Sequence, residues 1–117
     1  MTRWLPVLMA RLNDLEQGAP DEDVVLNQDS MRHAISFARR YSAGEQPSAY
    51  LVGNGNVRFL FGRDWPQIGL QFLPDRTLQY VIFVEECTLP LAGVGSETDI
   101  LAILRDNSLG SLLGLEQ

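Results

Sequence analysis

Hydrophobic residues recur along this chain with two different periods, and the change between them separates a helical first part from a strand-forming second part. Near the start, Trp4, Leu5, Leu8, Leu12 and Leu15 form an i, i+4, i+8 stripe with Asn13, Asp14 and Glu16 opposite. That spacing predicts an amphipathic helix over about residues 3–17, with Pro6 tolerated in its first turn and Gly18-Ala19-Pro20 ending it. An acidic linker, residues 18–23 with Asp21-Glu22-Asp23, follows. A second helix is predicted from about Asn27 to Ala43. Met31, Ala34, Ile35, Ala38 and Tyr41 lie on one stripe, with Arg32, Ser36, Arg39 and Arg40 away from it. Asn27 or Asp29 suits its N-cap, and Gly44 suits a left-handed residue after its end. Val24-Val25-Leu26 fits either the opening of this helix or an extended approach to it.

After Gln46-Pro47 the period drops from 3.6 to 2. Strands are predicted over 49–52, 57–61, 68–72 and 78–84, separated by Gly53-Asn54-Gly55-Asn56, Gly62-Arg63-Asp64-Trp65-Pro66 and Pro74-Asp75-Arg76. Links this short exclude parallel crossovers, so the strands form an antiparallel meander. Gly93-Val94-Gly95 leads to a last helix capped by Ser96, with Ile100, Leu101, Ile103 and Leu104 apolar. The tail, 107–117, spaces its leucines helically but carries two glycines. The expected architecture is one α+β domain over 1–117, with its core in 24–106. A four-stranded antiparallel β-meander packs against a central helix, and the N- and C-terminal helices lie beside that helix or on the back of the sheet.

Alternation gives the meander two faces. Val57, Phe59, Phe61, Ile68, Leu70, Phe72, Leu78, Tyr80 and Ile82 make a fully apolar face that a helix must cover. The other mixes Arg58, Gln71 and Gln79 with Leu60, Val81 and Phe83, more apolar surface than a solvated face needs. From Gln46 to Phe83 the order of elements resembles a set of short, uncharacterised bacterial proteins. The resemblance is carried by Asn54-Gly-Asn-Val-Arg-Phe-Leu-Phe61, Ile68-Gly-Leu-Gln-Phe72 and Pro74-Asp-Arg-Thr-Leu-Gln-Tyr80. It implies a helix followed by an antiparallel meander and brings no activity with it. Arg76 stands where that pattern has a turn glycine, and Trp65 falls in a turn instead of a strand.

Composition narrows the function classes. At 45% hydrophobic residues the chain can build a core, and no apolar run approaches the roughly 18 residues of a membrane span. Arg11 interrupts the apolar start, which reads as a helix and not as a signal peptide, so a soluble cytoplasmic protein without membrane association is expected. The formal charge is −6 and every basic residue is Arg, which opposes nucleic-acid binding and removes lysine-dependent chemistry.

No catalytic, metal-binding or cofactor-binding residues are assigned. The lone His33 reads as a partly exposed helix residue. Glu85 and Glu86 would raise the pKa of the single cysteine, Cys87, and weaken it as a nucleophile. Asp21-Glu22-Asp23 lacks the glycine and distal Glu of a calcium loop. Gly53-Asn54-Gly55 is accounted for by a hairpin. Gly93-Val94-Gly95 precedes a helix whose first turn already carries Glu97 and Asp99. The expected function is therefore non-enzymatic protein binding, of the kind an antitoxin, immunity protein or phage-borne inhibitor performs, with Leu60, Arg63, Trp65, Val81 and Phe83 as contact residues. Two alternatives stand beside it. One is a self-associating homodimer. The other is a small-ligand protein or enzyme using Arg58, Tyr80, Glu85 or Glu86 at the end of the sheet.

Overall fold

A computed structural model describes residues 4–19, 24–62, 64, 66–83 and 91–115. In chain order these form α1 (Leu5–Gly18), α2 (Gln28–Arg40), β1 (Ser48–Leu51), β2 (Val57–Phe61), β3 (Gln67–Phe72), β4 (Leu78–Phe83), β5 (Leu91–Gly95) and α3 (Glu97–Asp106), then a 3-10 turn over Gly110–Leu113. The fold is α+β. Its sheet is antiparallel with strand order β1-β2-β3-β4-β5, so the expected meander is present and extends by one strand. The fifth strand is a correction. In sequence, Gly93-Val94-Gly95 reads only as the lead-in to the last helix, yet Gly93 pairs with Tyr80 inside the ladder, and a Cβ there would sit 2.9 Å from the Tyr80 hydroxyl. The Tyr80 ring lies across Gly93, so a larger residue there would have to displace that ring.

The second helix begins as expected: Asn27 caps α2, its side chain accepting from the Ser30 amide at 3.0 Å. Val24–Leu26 precedes the helix without joining it. Its end differs from expectation. Gly44 is not left-handed; it is glycine because a Cβ would run into the backbone of Leu112 to Gly114. The 3-10 turn packs there, with the Glu45 amide donating to the Leu112 carbonyl at 3.0 Å and Leu109 and Leu113 buried. Trp4 closes the same corner by donating from Nε1 to the Gly44 carbonyl at 3.0 Å. The tail is therefore folded through Leu115. Ser96 caps α3 through a reciprocal box with Asp99.

All three helices pack on one side of the sheet. α1 lies against β1 and α2, α2 against β2 and β3, and α3 against β4 and β5. Their buried residues join Ala49, Val57, Phe59, Phe61, Ile68, Leu70, Phe72, Leu78 and Ile82 in one cluster, and these strand residues all belong to one face. At the centre Phe72 meets Phe59 at 4.7 Å, Phe37 at 5.3 Å and the His33 ring at 5.1 Å between centroids. Phe37 lies one helical step from Ala34 and completes the buried stripe of Met31, Ala34 and Ala38. Sequence periodicity had not placed it there.

One polar side chain fixes α2 to the sheet. The β2–β3 ladder stops at Arg58 opposite Gln71, and the buried Ser30 hydroxyl spans the next pair of residues. Its Oγ accepts from the Val57 amide at 2.8 Å and donates to the Phe72 carbonyl at 2.5 Å. Replacing Ser30 with Ala strands a buried amide and a buried carbonyl, which costs about 1–3 kcal/mol. The exposed Ser48→Ala should stay within about 0.5 kcal/mol of the parent. Urea denaturation of the two variants checks the difference.

Candidate functional site

The sheet face away from the helices is built from three cross-strand rows. Register places Tyr50, Arg58, Gln71, Gln79 and Val94 in the first, and Ser48, Leu60, Gly69, Val81 and Ala92 in the second. Gln67 and Phe83 form the third. No described helix covers these residues; Tyr50 and Val94 are 45% and 60% exposed. Leu60, Val81 and Phe83, singled out by alternation, do share this face and are half-buried. Arg63 and Trp65, expected beside them, lie outside the described residues. Ala92 and Val94 add to the apolar part. Their signal in the sequence is weak, because the strand Leu91-Ala-Gly-Val-Gly95 carries two glycines, which strands disfavour.

Two local arrangements give this face its chemistry. In the second row Gly69 separates Leu60 from Val81, and the Arg58 side chain lies across it; a Cβ on Gly69 would come within 2.7 Å of Arg58 Nη2. The guanidinium is thus laid flat on the sheet with apolar neighbours on both sides. In the first row Asn54 and Asn56 donate from Nδ2 to Gln71 Oε1 at 3.1 and 3.0 Å, and Gln71 Nε2 donates to Gln79 Oε1 at 2.9 Å. Chained amides of this kind orient one another. The face therefore carries an amide row beside an apolar row, with Arg58 as the one charged residue among its twelve positions, against 21% charged residues in the whole chain.

The two edges of the sheet differ. At β1 the Ala49 carbonyl accepts from Arg11 Nε at 3.3 Å and α1 packs alongside. At β5, Leu91 is 46% exposed. Blunting with a charged side chain protects an edge from pairing with another chain, and only β1 has it among the described residues.

The residues proposed for ligand chemistry at the sheet's end do not gather. Arg58 lies on the open face and Tyr80 on the packed one, while Glu85, Glu86 and Cys87 lie outside the described residues, as does Asp21-Glu22-Asp23. No group of three or more candidate metal ligands occurs among the described residues, and no described helix is long and apolar enough to cross a membrane. A polar cavity of about 480 Å³ lies instead on the helical side. Asp29, Arg32, His33, Ser36 and Arg40 of α2 line it, with Pro74 and Arg76 of the β3–β4 turn and Glu97 of α3. Asp29 pairs with Arg32; Arg40 donates to both Ser36 and Glu97. No family model, characterised protein or solved structure matches this chain.

His33 sits at the floor of that cavity, edge-on to Phe72, and its buried Nδ1 has no hydrogen-bond partner. Burial holds its pKa below the ordinary value of 6.5; the Leu73 backbone and Glu97 oppose the shift, and Arg40 and Arg76 add to it. Neutral His33 is thus favoured in the folded state, while the unfolded chain takes up its proton near the ordinary value. The stability this contributes is present above about pH 6.5 and lost as the pH falls below it. His33 is the single histidine, so a lower urea midpoint at about pH 5.5 than at about pH 7.5 should be largely its own effect. His33→Gln should flatten that difference.

Proposed function

We propose that this chain is a protein-binding domain whose contact surface is the open face of the sheet. The observation that carries the reading is the composition of that face: apolar and amide side chains with one arginine, on a molecule of formal charge −6. Depletion of charge with retention of aromatic, aliphatic and Arg residues distinguishes the core of a protein interface from ordinary surface. A solvated antiparallel face needs no such depletion, since charges there cost nothing to hydrate.

Size sets what the face can do alone. Five strands about 4.8 Å apart and about 17 Å long span roughly 400 Å² of flat area, below the roughly 800 Å² that each partner gives to a standard interface. The bordering surface has to contribute, and a shallow depression beside Leu60, lined by Glu45, Gln46, Pro47, Ser48 and Gly62, adjoins the apolar row. Small size and acidity suit a protein that neutralises or escorts another, as antitoxins, immunity proteins and phage-borne inhibitors do. Self-association is the second reading, favoured by β5, an edge strand with exposed Leu91 and Val94.

Val81→Glu and Val94→Glu put charge onto the open face without entering the core. Both should leave the melting temperature nearly unchanged and weaken capture of the partner by about tenfold or more. Affinity capture from the host lysate with parent and variant proteins, alongside light scattering, reads the result. A partner lost with both variants supports the reading, and a dimer lost with both assigns the face to a second copy. Capture and oligomeric state that ignore both charges would remove the face from the function.

A further inference from the structure

The cavity on the helical side has a chemistry of its own. Its lining holds three guanidinium groups, from Arg32, Arg40 and Arg76, against two carboxylates, so it is net positive in an acidic protein. The two carboxylates are already engaged: Asp29 pairs with Arg32 at the exposed surface, and the less exposed Glu97 pairs with Arg40. Arg76 has no carboxylate partner among the described residues.

The backbone at Arg76 gives a second, independent reason to look here. Its φ is +71°, the left-handed region that favours glycine, in a turn of the type that usually ends on glycine. The turn is firmly built: the Arg76 amide donates to the Leu73 carbonyl at 3.2 Å, and Asp75 Oδ1 accepts from the Thr77 amide and hydroxyl at 3.0 and 2.5 Å. Nothing in the turn's own hydrogen bonding requires an arginine, and the side chain lines the cavity facing α2. A strained position that keeps a costlier residue than the fold needs points to a use for its side chain.

We infer that this cavity binds the oxyanion end of a small molecule, a phosphate or carboxylate, between the Arg76 guanidinium and those of Arg32 and Arg40. Guanidinium groups pair with both anions through charge-assisted hydrogen bonds, with Ser36 as a neutral neighbour on the wall. The site is separate from the open sheet face, which lies on the other side of the sheet.

Backbone-amide NMR of the full chain, titrated with inorganic phosphate and separately with acetate, tests this. Sodium chloride at matched ionic strength is the reference. The expected result is a saturating shift at His33, Ser36, Arg40 and Arg76 with at least one of the two anions and none with chloride. Arg76→Gly should weaken that binding by about tenfold or more while melting no lower than the parent, because glycine relieves the turn. Arg76→Asn, which also tolerates the left-handed region, should lose binding in the same way. Arg39→Gln, an exposed arginine of α2 outside the cavity, should bind as the parent does. Phosphate binding alone identifies a phosphoryl ligand, and acetate binding a carboxylate. No saturation with either anion, equal shifts with chloride, or equal loss with Arg39→Gln would overturn the assignment.

Discussion

The buried Ser30 hydroxyl ties the start of α2 to the sheet, on the face that the alternation of Val57, Phe59, Ile68, Leu70 and Phe72 makes apolar. It spans the end of the β2–β3 ladder with one donated and one accepted hydrogen bond, both buried. Nearby, the Asn27 amide donates to the Gly55 carbonyl at 2.8 Å, so the start of α2 is held against the β1–β2 turn as well. With that end fixed, Phe37 comes down on Phe72, which in turn meets Phe59, and α2 lies over the middle of the sheet. α1 and α3 then take the strands on either side. Helices are about 10 Å wide and five strands span about 24 Å, so one face consumes two to three helices. The described residues hold three α-helices, and all three pack on the same face. None of the described helices is left over for the other face.

That bare face differs in kind from the helical surface. Charge is concentrated on the helical side, where Arg32, Arg40, Arg76, Asp29 and Glu97 surround one cavity. The open face keeps amides tied to one another and aliphatic groups around a single flattened Arg58. Covering it with a partner would desolvate few charges, and the amides already satisfy much of their own hydrogen bonding. A surface of this type loses little on association, which supports the protein-binding reading. The cavity, by contrast, suits a small charged ligand.

Much of the fold was legible in the sequence because alternation over β2, β3 and β4 is nearly unbroken, and Asn27 and Ser96 carry cap chemistry that acts locally. What escaped depended on contacts made at a distance. Ser30 reads as an ordinary first-turn residue until β2 and β3 present a free amide and carbonyl to it. Gly93 reads as a lead-in to α3 until it pairs with Tyr80, and Gly44 as a helix terminator until the tail packs against it. Of the candidate site, Leu60, Val81 and Phe83 could be read from their parity. Ala92 and Val94 could not, since the strand that carries them was hidden by its glycines. Arg76 was recognisable as a residue in a glycine's place; only the structure shows the cavity it lines.

The central claim is that the described residues leave the Leu60–Val81 face of the sheet uncovered. Methyl NMR of dilute, monomeric protein with a soluble paramagnetic agent measures this directly, methyl by methyl. The account predicts strong relaxation at Leu60, Val81 and Val94 and protection at Ile68, Leu70 and Ile82, which are all buried on the helical side. If the Leu60 and Val81 methyl groups were as protected as those of Leu70, part of the chain would be covering that face, and the proposed binding surface would not exist.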